Sequence, residues 1–185
     1  MLLPKFVYHF KSGPVDSPQL LEIIKRGNCR LAVQIFYQRV FDIFLKTEQI
    51  LLPEAFYQTG EYVFPPAGTD KNYLEKNFAK NLGKLKFGDV LYAVRLRNKK
   101  NKNIYKNFSE YKDYNEWLLY LHSAVFLGKK SEAPQDKQYI FAQIPEKITN
   151  ENLIWHATAI ENGSVFWDIK KFNNYYALVT AKRLS

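Results

Sequence analysis

At 185 residues, 46% of them hydrophobic and 16% aromatic, the chain is long enough for one domain with a substantial core and too short for two. That composition excludes global disorder, and the single cysteine excludes an internal disulfide framework and paired-cysteine zinc or redox sites. The net charge of +9, from 27 Lys and Arg against 18 Asp and Glu, makes anionic polymers partners to weigh. The expected organisation is a single domain over residues 1–185, of which residues 1–18 form an N-terminal arm.

Pro4, Gly13, Pro14 and Pro18 suit an extended arm with a short strand over Lys5–Phe10. The N-terminus lacks a basic segment followed by an apolar stretch and a small-residue cleavage site, so no secretory signal is read. The default compartment is the cytoplasm, with export by another route left open. No apolar run approaches the ~18–20 residues that cross a bilayer, so no membrane span is expected. Ser17-Pro18 offers a helix start, predicting a short helix over Gln19–Arg26 closed by Gly27. Asn28 then stands as an N-cap. Cys29, Val33, Phe36, Val40 and Phe44 follow at helical spacing, which predicts a helix with one apolar face and Cys29 in its first turn.

Glu54–Tyr62 suits a further helix, Phe64-Pro65-Pro66-Ala67-Gly68 breaks regular structure, and Asp70–Leu82 is weakly helical. Phe87-Gly88-Asp89 signals a turn into a strand over Val90–Leu96. Asn98–Asp113 reads as a basic loop, Tyr114–Tyr120 as a helical turn or strand lead-in, and Leu121–Leu127 as a strand ended by Gly128. Lys129–Gln138 reads as a second polar loop. Tyr139–Ile144, Leu153–Ala159, Ser164–Ile169 and Tyr175–Ala181 are further predicted strands, with a turn at Glu161-Asn162-Gly163. Helices first and an antiparallel meander after them make an α+β fold.

Of the three histidines, His9 lies in the arm, whereas His122 and His156 fall in predicted strands. Thiol chemistry needs a nucleophile, an imidazole to take its proton, and a third polar group that fixes the imidazole's tautomer. Cys29, His122 and His156 supply that set. A thiol in the first turn of a helix also feels the positive end of the helix dipole and unpaired N–H groups, which lower its pKa. Taken singly, each residue has a plainer reading: Cys29 as a small core hydrophobe, and each histidine as a hydrogen-bonded structural residue. The run Arg95-Leu96-Arg97-Asn98-Lys99-Lys100-Asn101-Lys102 has two readings as well, a solvated loop or a surface for an anionic polymer. No nucleic-acid motif accompanies it.

The order and contexts of these residues carry a resemblance. A cysteine at a helix start is followed by a Gly-Asp turn into a strand (Gly88-Asp89-Val90-Leu91-Tyr92). Next come His122-Ser123-Ala124-Val125-Phe126-Leu127-Gly128, then Ile154-Trp155-His156-Ala157, then Asn162-Gly163-Ser164-Val165. From about Gly27 to the C-terminus the chain resembles the NlpC-type papain-like cysteine peptidases, whose usual members cleave or modify the peptide stems of bacterial peptidoglycan. Leu52-Pro53 with Phe56-Tyr57-Gln58 and Gly60 is similar to a further stretch of that family.

The resemblance implies a papain-like domain in which N-terminal helices, with the nucleophile at a helix start, pack on an antiparallel sheet. It implies Cys29 as nucleophile, His122 as general base and later general acid, His156 as the residue orienting His122, and no cofactor. It also implies an acyl-thioester formed from a peptide or amide substrate. Two departures bear on substrate. Where the family has Asp-Cys-Ser-Gly, this chain has Asn28-Cys29-Arg30-Leu31, and Arg30 favours an acidic group on the ligand and repels an ammonium. The family's Tyr-x-x-Gly-Gly step before the cysteine is absent, and the segments Asn98–Leu119 and Lys129–Leu153 enlarge loops after two of the strands.

Three alternatives stand beside this reading. An acyltransferase or thioesterase on the same fold shares the acyl-enzyme. A non-catalytic binding module holds an anionic partner through Arg95–Lys102. A zinc site uses Cys29, His122 and His156 without the short ligand pair that zinc sites usually show.

Overall fold

The computed structural model describes residues 2–5, 7–8, 26–27, 29–45, 60–65, 71–96, 122–148 and 151–184. In chain order these form β1 (Val7–Tyr8), β2 (Arg26–Gly27), α1 (Cys29–Phe41), β3 (Glu61–Phe64), α2 (Lys71–Asn81), β4 (Val90–Arg95) and β5 (His122–Gly128). There follow α3 (Gln138–Phe141), β6 (Leu153–Thr158), β7 (Gly163–Asp168), α4 (Ile169–Asn173) and β8 (Tyr176–Arg183). The strands make one sheet in the order β2-β1-β7-β6-β5-β4-β8-β3, antiparallel throughout except for the β1–β2 pair. The fold is therefore mixed α and β, with an antiparallel sheet and a few helices, as the α+β reading expects.

Both faces of the sheet are covered, which is why its central strands read as continuous apolar runs rather than as alternating ones. Val90, Tyr92 and Val94 of β4, Val125 and Leu127 of β5, and Trp155 and Ala157 of β6 point into a first core built with α1. Leu91, Ala93, Ala124, Phe126 and Ile154 point the other way, into a second core with Phe78, Trp167, Phe172, Tyr176 and Leu178. α1 is enclosed: every side chain from Leu31 to Tyr37 is buried, and Phe36 packs against Tyr37, Phe87 and Trp155. Truncating a side chain so placed costs about 3–5 kcal/mol. On the other face Asn77 of α2 donates from Nδ2 to the carbonyls of Leu178 and Val179, pinning the helix to β8.

The turn before β4 explains the Gly-Asp signal. Gly88 sits at φ 92°, and a Cβ there meets the Phe41 ring at 2.7 Å, so only glycine fits without displacement. Its N–H bonds to Phe126 O, and Phe126 N–H returns to Asp89 O, both at 2.8 Å, which ties the turn to β5. Of the arm, Leu3 is buried in the first core, its N–H donates to Gln143 Oε1, and Pro4 O accepts from Ser164 Oγ.

Several predicted elements differ. The helix from Cys29 stops at Phe41 because Asp42 takes φ 57°, so Phe44 lies beyond it and is exposed, and burial surrounds the helix instead of following one face. Arg26 belongs to a strand and not to a helix, and Glu61 and Tyr62 begin β3. Tyr139–Ile144 is not a strand. Within the expected loop 129–138 two 3-10 turns, Lys130–Glu132 and Gln135–Lys137, lead into α3, which buries Ile140 and Phe141. Ile169 starts α4, capped by Asp168 accepting from the Lys171 N–H at 2.7 Å. The rest of the two expected helices, residues 19–25 and 54–59, lies outside the described residues, as do the stretch 52–58 and the segment 97–121.

Candidate active site

β5 and β6 carry the two histidines, and their register brings the rings together. Val125 stands opposite Trp155, which places Ala124 opposite His156 and His122 on the diagonal. The small Ala124 leaves room for the rings to meet, and His122 Nε2 lies 2.7 Å from His156 Nδ1. Both side chains are buried, His156 completely. Tyr176 stacks on His122 with ring centroids 4.3 Å apart and 18° between planes, and its hydroxyl lies 2.9 Å from Thr158 Oγ1. His156 forms T-shaped pairs with Trp167, at 4.6 Å between centroids, and with Phe172. The pair thus sits in an aromatic cage on the second-core side of the sheet.

Cys29 approaches from the other core. It is the first residue of α1 and half-buried, and its sulfur lies against the backbone N–H of Ser123, the residue next to His122. The N–H groups of Arg30 and Cys29 itself also favour its thiolate, as a helix start should. Thiolate charge on Cys29 is felt by Tyr176, which places the sulfur at the end of the sheet where β5 and β8 begin. The structure therefore brings the two histidines into direct contact and brings Cys29 to the same end of the sheet. Arg30 follows on α1, half-buried, and its charge also favours the thiolate. Asn28 lies outside the described residues.

The electrostatics correct one expectation. Burial pushes the Cys29 thiol up, and this outweighs the three N–H groups and Arg30 that pull it down. Burial, with Arg95 nearby, lowers His122 to about 3, and burial, His122 and Lys171 hold His156 well below the usual histidine range. The resting groups are a neutral thiol and two neutral imidazoles, and among the described residues no hydrogen bond joins Cys29 to His122. Helix-start stabilisation of the thiolate, expected from sequence to lower the thiol's pKa, is the smaller effect here.

Two other readings meet the geometry. His122 Nε2 and His156 Nδ1 face each other at hydrogen-bond distance, so they do not converge on one metal. Among the described residues no group of three His, Cys, Asp or Glu side chains has metal-binding geometry. Of the basic run, only Arg95 and Leu96 lie within the described residues. Among the described residues no helix is long and apolar enough to cross a membrane.

The residues that sequence reasoning missed are Ser123, Trp167, Phe172 and Tyr176. The aromatic ones carried a readable signal, since three large rings cluster between the end of β7 and the start of β8, in the part of the chain following His156. Comparison with family profiles, curated protein sequences and solved structures returns no match.

Proposed function

We propose that the chain is a cysteine hydrolase, an amidase or peptidase of the NlpC-like papain type, acting on a peptide or amide through an acyl-thioester. The observation that carries this reading is the buried His122 Nε2–His156 Nδ1 contact, which leaves His122 Nδ1 as the ring atom for a thiol held at the same end of the sheet. In this scheme Cys29 Sγ attacks the substrate carbonyl carbon while its proton passes to His122 Nδ1. N–H groups at the start of α1 stabilise the oxyanion. Collapse breaks the C–N bond, and the imidazolium returns the proton to the leaving amine. Water then attacks the thioester, giving its proton to His122, and the acid product leaves as the thiol re-forms. Peptide stems of cell-wall type are the substrates the family resemblance suggests, with Arg30 favouring an acidic group near the scissile bond.

The test is labelling by a peptidyl acyloxymethyl ketone read by intact mass. Cys29 should be the modified residue, and His122→Ala should slow labelling by about a hundred-fold, the scale of a lost general base. Equal rates in both proteins would reduce Cys29 to an ordinary thiol.

A further inference from the structure

His156 Nε2 is buried and has no hydrogen-bond partner among the described residues, although the opposite ring nitrogen is engaged at 2.7 Å. What surrounds the ring is aromatic: Trp167 at 4.6 Å between centroids with 70° between the planes, Phe172 at 5.6 Å and Tyr176 at 5.9 Å. This environment treats the two tautomers differently. With aromatic rings on its sides, an N–H at Nε2 has π electrons to meet in a weak N–H···π contact, whereas a lone pair there finds no donor within hydrogen-bond distance. Hydrogen positions follow from the network, and the surroundings of Nε2 favour one of its two solutions. With the proton on Nε2, His156 Nδ1 is an acceptor, His122 must donate from Nε2, and His122 Nδ1 is left bare.

The reverse arrangement has a chemical consequence. A proton on His156 Nδ1 makes His122 Nε2 the acceptor and puts the ring proton on His122 Nδ1, where no thiol proton can then be received. One buried tautomer thus decides whether His122 is a base or a donor toward Cys29.

We infer that Trp167 is a positioning residue, which with Phe172 and Tyr176 holds His156 in the Nε2–H form and so sets the polarity of the whole histidine relay; the inference rests on the nucleophile–base reading above. The indole is itself fixed. The Lys171 ammonium lies 4.7 Å from the centre of its ring and pairs with Glu161, so the face cannot easily turn away.

The test is a long-range 1H–15N correlation spectrum of the histidine rings in the full chain near neutral pH. Both His122 and His156 should show a protonated Nε2 and a bare Nδ1. A wild-type His156 protonated at Nδ1 overturns the inference without any variant being made. Trp167→Phe keeps an aromatic face and should keep the pattern. Trp167→Leu removes it and should raise the share of the second tautomer about five-fold, the ratio such a contact sustains. An unchanged ratio in folded Trp167→Leu overturns the role of Trp167. The expected tautomers together with an unreactive Cys29 would support the relay and overturn the hydrolase reading, so the two failures are told apart.

Discussion

Asp89 receives both arms of the Arg183 guanidinium, Nε to Oδ1 and Nη2 to Oδ2, each at 2.8 Å, with its own side chain 1% exposed. The Lys86 N–H adds a third bond at 2.7 Å. The pair joins the last residue of β8 to the turn that launches β4, so it closes the sheet at the end opposite the histidines. Arg183→Ala leaves a carboxylate buried with one remaining donor and should cost about 3–5 kcal/mol of unfolding free energy in urea. A cost under about 1 kcal/mol would mean that the pair behaves as an ordinary surface ion pair.

Acid should destabilise the fold through its histidines. Burial holds His156 well below the usual range and His122 at about 3, whereas in the unfolded chain both return to about 6.5. The unfolded chain therefore binds more protons between about 6.5 and about 3, and stability present above that window is lost as pH falls through it. From about pH 7 to about pH 5 His122 alone accounts for about 2 kcal/mol, with His156 adding in the same direction. Urea midpoints at the two pH values check this, and equal midpoints would place the rings in contact with solvent.

The same neutrality sets the pH profile that the proposed reaction should show. With His122 unprotonated well below neutrality, acylation of Cys29 by a substrate-like ester should be flat between about pH 5 and about pH 8, because the base form does not change over that range. Alkylation by iodoacetamide requires thiolate and should rise only above the ordinary thiol range, since burial pushes Cys29 up. An acylation profile with an inflection near 6.5 would contradict the buried relay.

Tyr176 offers a separation of stability from geometry. Tyr176→Phe removes the hydroxyl facing Thr158 and keeps the ring stacked on His122, so it should cost about 1 kcal/mol and leave acylation unchanged within about two-fold. Tyr176→Ala removes the stack and should slow acylation about ten-fold by freeing the His122 ring. Equal acylation rates in the two variants would show that the stack does not position the base.

Much of the meander was legible because its strands are rich in β-branched and aromatic residues bounded by Gly88, Gly128 and Asn162, all at positive φ. The local pattern failed where tertiary context won. Tyr139-Ile140-Phe141 has strand composition, yet it forms a turn of helix because Ile140 and Phe141 both fill the first core. Ile169–Asn173 hid behind the apolar end of β7, although Asp168 was a readable N-cap. In the candidate site, the types and order of Cys29, His122 and His156 could be read, but not the register that makes the histidines diagonal neighbours. Nor could the sequence weigh burial against the helix dipole at Cys29, since that balance depends on how much of the ring and sulfur the cores enclose.

The sheet separates two packed layers, and the thiol is mounted on one while the imidazoles are mounted on the other. Their alignment is thus a property of neither layer alone. Damage to the α1 side, at Phe36 for instance, should act first on the sulfur and less on the histidine resonances. Damage on the opposite side, at Phe172, which packs on both histidines, should act first on those resonances. If the proposed activity holds, its loss should therefore come in two spectroscopically distinct kinds, and the histidine spectrum should tell which layer has been disturbed.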